Sequence, residues 1–259
     1  MKESQILRAL LLVSLLSTLT ACGTLSNAQS IPPTTVAPST TTTTLLETGI
    51  SATGQRSGPS TQTSQFKLLE LGFWLANPNG KFDDTTTQAV MAFQKYFQLR
   101  PTGSINIATA YLLERMSIPA TAKTKEGSLA EVDKSRQLLF LVQDGITTYV
   151  MNTSTGDDRA YEEPDANTPG VVIKGTAVTP VGSFKIDRER PDGWWIGDLG
   201  QIYRPKYFSG GVAIHGSMSV PAYPSSHGCV RLTTKAMDFI WDNDILPRGT
   251  QVLVYGEIS

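Results

Sequence analysis

Among its 259 residues the chain has only two cysteines, Cys22 and Cys229, and only two histidines, His215 and His227. That scarcity excludes a disulfide framework and any metal centre built from several cysteines and histidines. Charge of either sign is also in short supply: Lys and Arg total 22, Asp and Glu 23, and the formal net charge is −1. A nucleic-acid binder held by bulk positive charge is therefore not indicated. No apolar run is long enough to span a bilayer comfortably. What remains is an ordinary globular composition, 40% apolar and 17% charged, in which each Cys and His carries information.

The longest apolar stretch, Ala9 to Leu16, follows Lys2 and Arg8, the order of a secretory signal. It ends in Leu19-Thr20-Ala21-Cys22, which resembles the bacterial lipoprotein box. The resemblance implies a signal over 1–21, lipidation of Cys22 and a membrane anchor outside the cytoplasm; an unmodified cysteine beside an ordinary cleavage site is the alternative. Residues 22–62 are rich in Thr, Ser, Pro and Gly and include the run Thr40 to Thr44. Such a segment buries too little apolar surface to offset its ordering entropy, so a disordered tether is expected, with a root-mean-square span of roughly 35 Å.

Residues 63–118 show helical spacing in three pieces. Phe66 and Leu69 lie three apart; Val90, Phe93 and Phe97 follow behind Thr85 and Gln88, which have capping-box spacing; Tyr111 and Leu112 mark the third piece. Two of the pieces share an opening. Gly80-Lys81-Phe82-Asp83 with Thr86 recurs as Gly103-Ser104-Ile105-Asn106 with Thr109, which predicts a three-helix unit with internal pseudo-symmetry. The pattern, with the helix Ala89-Val90-Met91-Ala92-Phe93-Gln94, resembles the peptidoglycan-binding domain found beside cell-wall enzymes. Asp83 and Asn106 stand where that family usually has a second glycine; both residue types tolerate a left-handed backbone.

From residue 127 to 257 the period changes from 3.6 to 2. Leu138 to Val142 and Thr147 to Met151 flank Asp144-Gly145, a strong hairpin signal. Further strands are expected at Val171 to Ile173, Gly182 to Ile186, Val212 to Ile214 and Gln251 to Tyr255. One helix is expected from Thr234 to about Asn243, capped by Thr233, with Met237, Ile240 and Trp241 as its buried face. The fold class is thus α+β multidomain: a small three-helix domain, then a mainly β domain with a late helix.

Both histidines and Cys229 fall within one stretch, in Ile214-His215-Gly216-Ser217 and Ser226-His227-Gly228-Cys229-Val230-Arg231. A thiol near imidazole suits nucleophilic catalysis, the base taking the proton and the thiolate attacking. Gly216 and Gly228 allow close substrate approach and free amides for an oxyanion. A zinc site on His215, His227 and Cys229, completed by a carboxylate, a Cys22–Cys229 disulfide and an inert buried thiol are the rivals.

These two segments, with Thr179-Pro180-Val181-Gly182-Ser183-Phe184, resemble the L,D-transpeptidase catalytic domain of the YkuD or ErfK type. The resemblance implies Cys229 as nucleophile and His215 as general base, its second ring nitrogen held by the Gly216 carbonyl. His227 would tune the thiolate, the Gly228 and Cys229 amides would hold the oxyanion, and Ser226 belongs to the same turn. Arg231 would hold a substrate carboxylate, its planar fork matching one bidentately. Tyr203, Tyr207, Trp194 and Trp195 are cleft candidates by proximity alone. The implied activity is acyl transfer on peptidoglycan stem peptides to give 3-to-3 cross-links, without cofactor, metal or nucleic acid, with carbapenem β-lactams as inhibitors. L,D-carboxypeptidase activity, or a non-catalytic wall-binding lipoprotein, are the alternatives. The ten residues between His215 and Ser226 predict a short loop over the cleft.

Overall fold

A computed structural model describes residues 49–258. The expected signal, Cys22 and most of the tether lie outside the described residues. The chain opens with three helices, α1 (Pro59–Glu70), α2 (Asp84–Tyr96) and α3 (Ile107–Arg115). The strands then run β1 (Leu129–Asp133), β2 (Leu138–Gln143), β3 (Ile146–Asn152), β4 (Ala160–Pro164), β5 (Val172–Thr176), β6 (Gly182–Lys185), β7 (Arg188–Glu189), β8 (Trp194–Gly197), β9 (Gly200–Ser209), β10 (Val212–Ser217) and β11 (Val230–Thr233). The late helix α4 (Thr234–Asp242) and strand β12 (Gln251–Tyr255) close the fold.

The folded unit begins earlier than the composition suggests. Gly54 pairs with Ile105, and α1 starts at Pro59, so residues 49–62 belong to the body and not to a disordered tether. Proline at the first helical turn and the scarcity of charge, Arg56 alone, make this start read as linker.

The internal repeat is real and extends further than the turn motif. Gly80 and Gly103 both have positive φ, 79° and 65°. Asp83 and Asn106 each accept from the N–H three residues on, at 2.9 Å. They are helix N-caps in extended backbone, φ −93° and −77°, and not left-handed residues. The cap of α2 is therefore Asp83; the expected Thr85–Gln88 box does not form. Two buried glutamines complete the symmetry. Gln65 Oε1 accepts from Gly80 N–H at 2.8 Å, and its Nε2 donates to Thr86 Oγ1 at 2.8 Å. Gln94 does the same to Gly103 and Thr109, at 2.9 Å each. Each glutamine satisfies a buried turn and a helix start at once. Phe66 and Tyr111 point to solvent; Leu68 and Leu113 take the inward positions.

Three sheets follow. The first has the order β3-β2-β1-β12-β6, the second β11-β10-β9-β7 with β8 paired to β9, and β4-β5 form a separate hairpin. Asp144 and Gly145 both have positive φ, 49° and 77°, which is the turn the β2–β3 hairpin needs. The first sheet is buried on both faces. Leu138, Phe140, Val142 and Val150 pack with Phe73, Phe93 and Leu113 of the helical part. Leu139, Leu141, Val252 and Val254 pack with Ile214, Val230, Leu232, Met237 and Ile240. Hence Leu138 to Val142 reads as an unbroken apolar run. The helical and β parts share this sheet, and the described residues, 49–258, form one compact unit.

Candidate active site

The second sheet positions the chemistry. Strands β10 and β11 pair in parallel, with Ile214 opposite Val230 and His215 opposite Arg231. Cys229, just before β11, therefore arrives beside Ala213, whose N–H donates to its Sγ at 3.4 Å. The sulfur also lies 3.8 Å from the Gly211 carbonyl oxygen. His215 is buried, and its Nδ1 donates to the Gly216 carbonyl at 2.8 Å, as the resemblance implied. Gly216 is required there: a Cβ would stand 2.9 Å from the Tyr203 ring and 3.1 Å from Thr234 Cα.

The Ser226-to-Cys229 turn is clasped from three sides. Ser226 N–H donates to Thr155 O at 3.0 Å, its hydroxyl donates to Cys229 O, and it accepts from Gly228 N–H at 3.1 Å. Gly228 has φ 130°, and a Cβ would meet Val178 O at 2.8 Å. Its carbonyl accepts from the buried Thr179 hydroxyl at 2.6 Å, and that hydroxyl accepts from Gly156 N–H at 2.9 Å. Thr179 is a site residue that chemical reasoning passed over; the Thr-Pro motif was its signal. The Gly228 amide is taken by Ser226, so it is not free for an oxyanion, contrary to expectation.

His215, Cys229, Arg231, His227 and Ser226 line one cavity of about 590 Å³. One wall is the β4–β5 hairpin with Tyr161, Thr176 and Val178; another is the β8–β9 hairpin from Trp195 to Ile202. The loop between His215 and Ser226 does not roof the cleft. Its Val220 carbonyl accepts from Gln88 Nε2 at 3.1 Å and Asn152 Nδ2 at 3.3 Å, which holds it against α2. Tyr207 and Trp195 line the cavity, as do Arg188 and Arg190, which the sequence reading missed. Tyr203 does not. Its hydroxyl donates to Asp238 of α4 at 2.8 Å, and Trp194 packs on its ring at 5.2 Å, so both are structural. His227 sits edge-on to Tyr161 at 4.8 Å, with Nε2 3.8 Å from Glu163 Oε1.

Burial sets the protonation state. It pushes His215 down to about 4, reinforced by the Arg231 charge and opposed by the Gly216 hydrogen bond. It pushes the Cys229 thiol up, against the Ala213 N–H and Arg231, which favour thiolate. The resting pair is thus a neutral thiol and a neutral imidazole. With Nδ1 donating to Gly216, the free lone pair of His215 is on Nε2.

Comparison with known proteins agrees with this geometry. Residues 127–254 match the YkuD L,D-transpeptidase catalytic domain, and residues 57–113 match a peptidoglycan-binding domain. The L,D-transpeptidase of Xylanimonas cellulosilytica, as crystallised over its residues 123-326, is 38% identical with a TM-score of 0.69, covering 78% of this chain and 96% of that one. An L,D-transpeptidase from Stackebrandtia nassauensis is 21% identical with a TM-score of 0.46, covering 81% and 97%. No curated protein matches the chain. A thiol at the entry to β11 and an imidazole on the adjoining β10 of a YkuD-type sheet, behind a three-helix peptidoglycan-binding unit, place this chain in the L,D-transpeptidase family, enzymes that act on peptidoglycan in the cell envelope.

Proposed function

We propose that Cys229 and His215 carry out acyl transfer between peptidoglycan stem peptides, forming 3-to-3 cross-links through a thioester on Cys229. The observation that carries this is a thiol and a buried imidazole lining one cavity, the imidazole having its only free lone pair on Nε2. The Sγ proton passes to His215 Nε2 as sulfur attacks the carbonyl of the third stem residue. The tetrahedral intermediate then expels the terminal D-alanine, whose nitrogen takes that proton. An acceptor side-chain amine attacks the thioester, loses its proton to His215 and frees the sulfur. Cys229 N–H is the oxyanion donor, since Ser226 holds that of Gly228. Arg231 binds a donor carboxylate, and His227 braces the β4–β5 wall through Tyr161. Lipidation at Cys22 would fix the enzyme to the membrane, on the strength of the charged-then-apolar order before it. No helix among the described residues is long and apolar enough to cross one.

The test is intact-mass spectrometry after incubation with a synthetic tetrapeptide donor or a carbapenem. An adduct on the parent and none on Cys229→Ala supports the reading. No adduct on a folded, reduced parent overturns it in favour of a wall-binding scaffold. Muropeptide analysis then separates cross-linking from carboxypeptidase release, in which water replaces the amine.

A further inference from the structure

The cavity is cationic in a way that one substrate carboxylate does not use up. Arg188, Arg190 and Arg231 line it, against a single lining carboxylate, Asp198. Arg136 and Arg204, by contrast, are paired, with Asp133 at 2.8 Å and with Asp238 at 2.7 Å. Arg188 is partly committed, donating to Gly210 O at 3.1 Å with its guanidinium 3.9 Å over the Tyr207 ring. Arg190 is different. Its Nε is buried without a hydrogen-bond partner, and its guanidinium is stacked 3.6 Å over Trp195. Stacking holds the planar fork in one orientation while leaving its donor edge free, the preparation bidentate carboxylate binding needs. An orphaned buried donor of this kind is costly unless something arrives to satisfy it.

The two unpaired arginines sit at opposite edges of the second sheet. Arg231 is on β11, and Arg190 continues the pairing of β7 with β9 through its N–H to Pro205 O at 3.0 Å. The order β11-β10-β9-β7 puts three strand spacings, roughly 14 Å, between their backbones. That is about the length of four extended residues. His215 lies on β10, between the two edges.

We infer that Arg190, stacked on Trp195, is a second anion-binding point, so that the enzyme selects donor stems bearing a free carboxylate upstream of the scissile bond over stems amidated there. This inference rests on the proposed transpeptidase reading and adds to it the chemical class of donor. Arg190 is a binding and specificity residue; it moves no proton.

The test uses two tetrapeptide donors differing only in the second-residue carboxyl group, free in one and a primary amide in the other. Affinity is measured by calorimetry on Cys229→Ala, and turnover on the parent. The free acid should bind about tenfold or more tightly and show a kcat/KM higher by a similar factor. Arg190→Gln should bring both ratios within about twofold, chiefly by weakening the acid, and Arg190→Lys should restore only part. Equal affinity for the two donors in the Cys229→Ala protein overturns the inference without needing any Arg190 variant. So does a preference that survives Arg190→Gln. A normal binding preference with no acyl-enzyme on the parent overturns the transpeptidase reading instead, which keeps the two failures apart.

Discussion

The protonation state of the Cys229–His215 pair can be tested without any cell-wall substrate. Burial holds the thiol above its ordinary value of 9.0 and drops His215 to about 4. At neutral pH the thiol form therefore predominates. Protonating His215 in place costs about 3 kcal/mol relative to a free imidazole, from a fall of roughly two and a half units at about 1.4 kcal/mol each. The assay is the alkylation rate of Cys229 by iodoacetamide from pH 5 to 9 in a fragment of residues 49–258, which lacks Cys22. The rate should climb nearly tenfold per pH unit and show no plateau below pH 8. Arg231→Met should shift the curve to higher pH, because the Arg231 charge favours the thiolate. A flat rate between pH 5 and 8, or thiolate absorbance at pH 6, would mean a preformed thiolate–imidazolium pair and refute this account.

Thr179→Val removes the hydroxyl that links Gly156 to Gly228; a stability loss of about 1–3 kcal/mol and a larger fall in kcat than in 1/KM are expected from denaturation and steady-state kinetics. Lys95, whose ammonium nitrogen reaches Gln137 O at 3.0 Å, Thr153 O at 3.3 Å and the Asn152 side chain, is pushed by burial down to about 7. Its folded pKa lies below the unfolded 10.5, so its contribution is present at high pH and is lost as pH falls toward 7. The stability gap between the parent and Lys95→Met should accordingly widen from pH 7 to pH 9, by up to ~1.4 kcal/mol per unit; a gap that narrows would contradict it. Phe140→Ala should cost about 3–5 kcal/mol and lower a single melting transition, while a fragment starting at residue 123 should aggregate or bind a hydrophobic dye. Two independent melting transitions in the parent would argue against the shared core.

The parts legible in the sequence were those written in local chemistry. Asp144-Gly145 dictates its hairpin, Gln251 to Tyr255 alternates between buried and more exposed positions, and Thr233 caps α4 by accepting from Ala236 N–H. The clustering of His215 and Cys229 pointed to the reacting pair because both residue types are so rare here. Strand β9 was hidden by Pro205, which argues against a position inside a sheet. The structure accommodates it beside Arg204, at φ 44°, where the pairing with β10 shifts register. Arg188 and Arg190 were invisible because a charged residue near a turn is ordinarily solvated; only the approach of Tyr207 and Trp195 reveals them. Tyr203 failed as a cleft residue for the converse reason. Strict alternation would put it on the same face as Tyr207, but the register shift at Arg204 and Pro205 turns it to α4 instead. The buried glutamines Gln65 and Gln94 were also unread, since a polar residue on a helix looks like surface until its turn partner is known.

A sheet buried on both faces has a consequence for how such a chain can be rearranged. In most multidomain enzymes a wall-binding module can be cut at its linker and another grafted on, because the junction carries few contacts. Here the module supplies one of the two apolar coats of β2 and β3, with Phe73 even bridging to Val150 along the sheet edge. Exchange by recombination would therefore have to bring a surface matching Leu138, Phe140, Val142 and Val150, not merely a sequence that recognises glycan. The module's inheritance is tied to that of the catalytic sheet, and substitutions in α2 and β3 should be traded against each other as residues of one core.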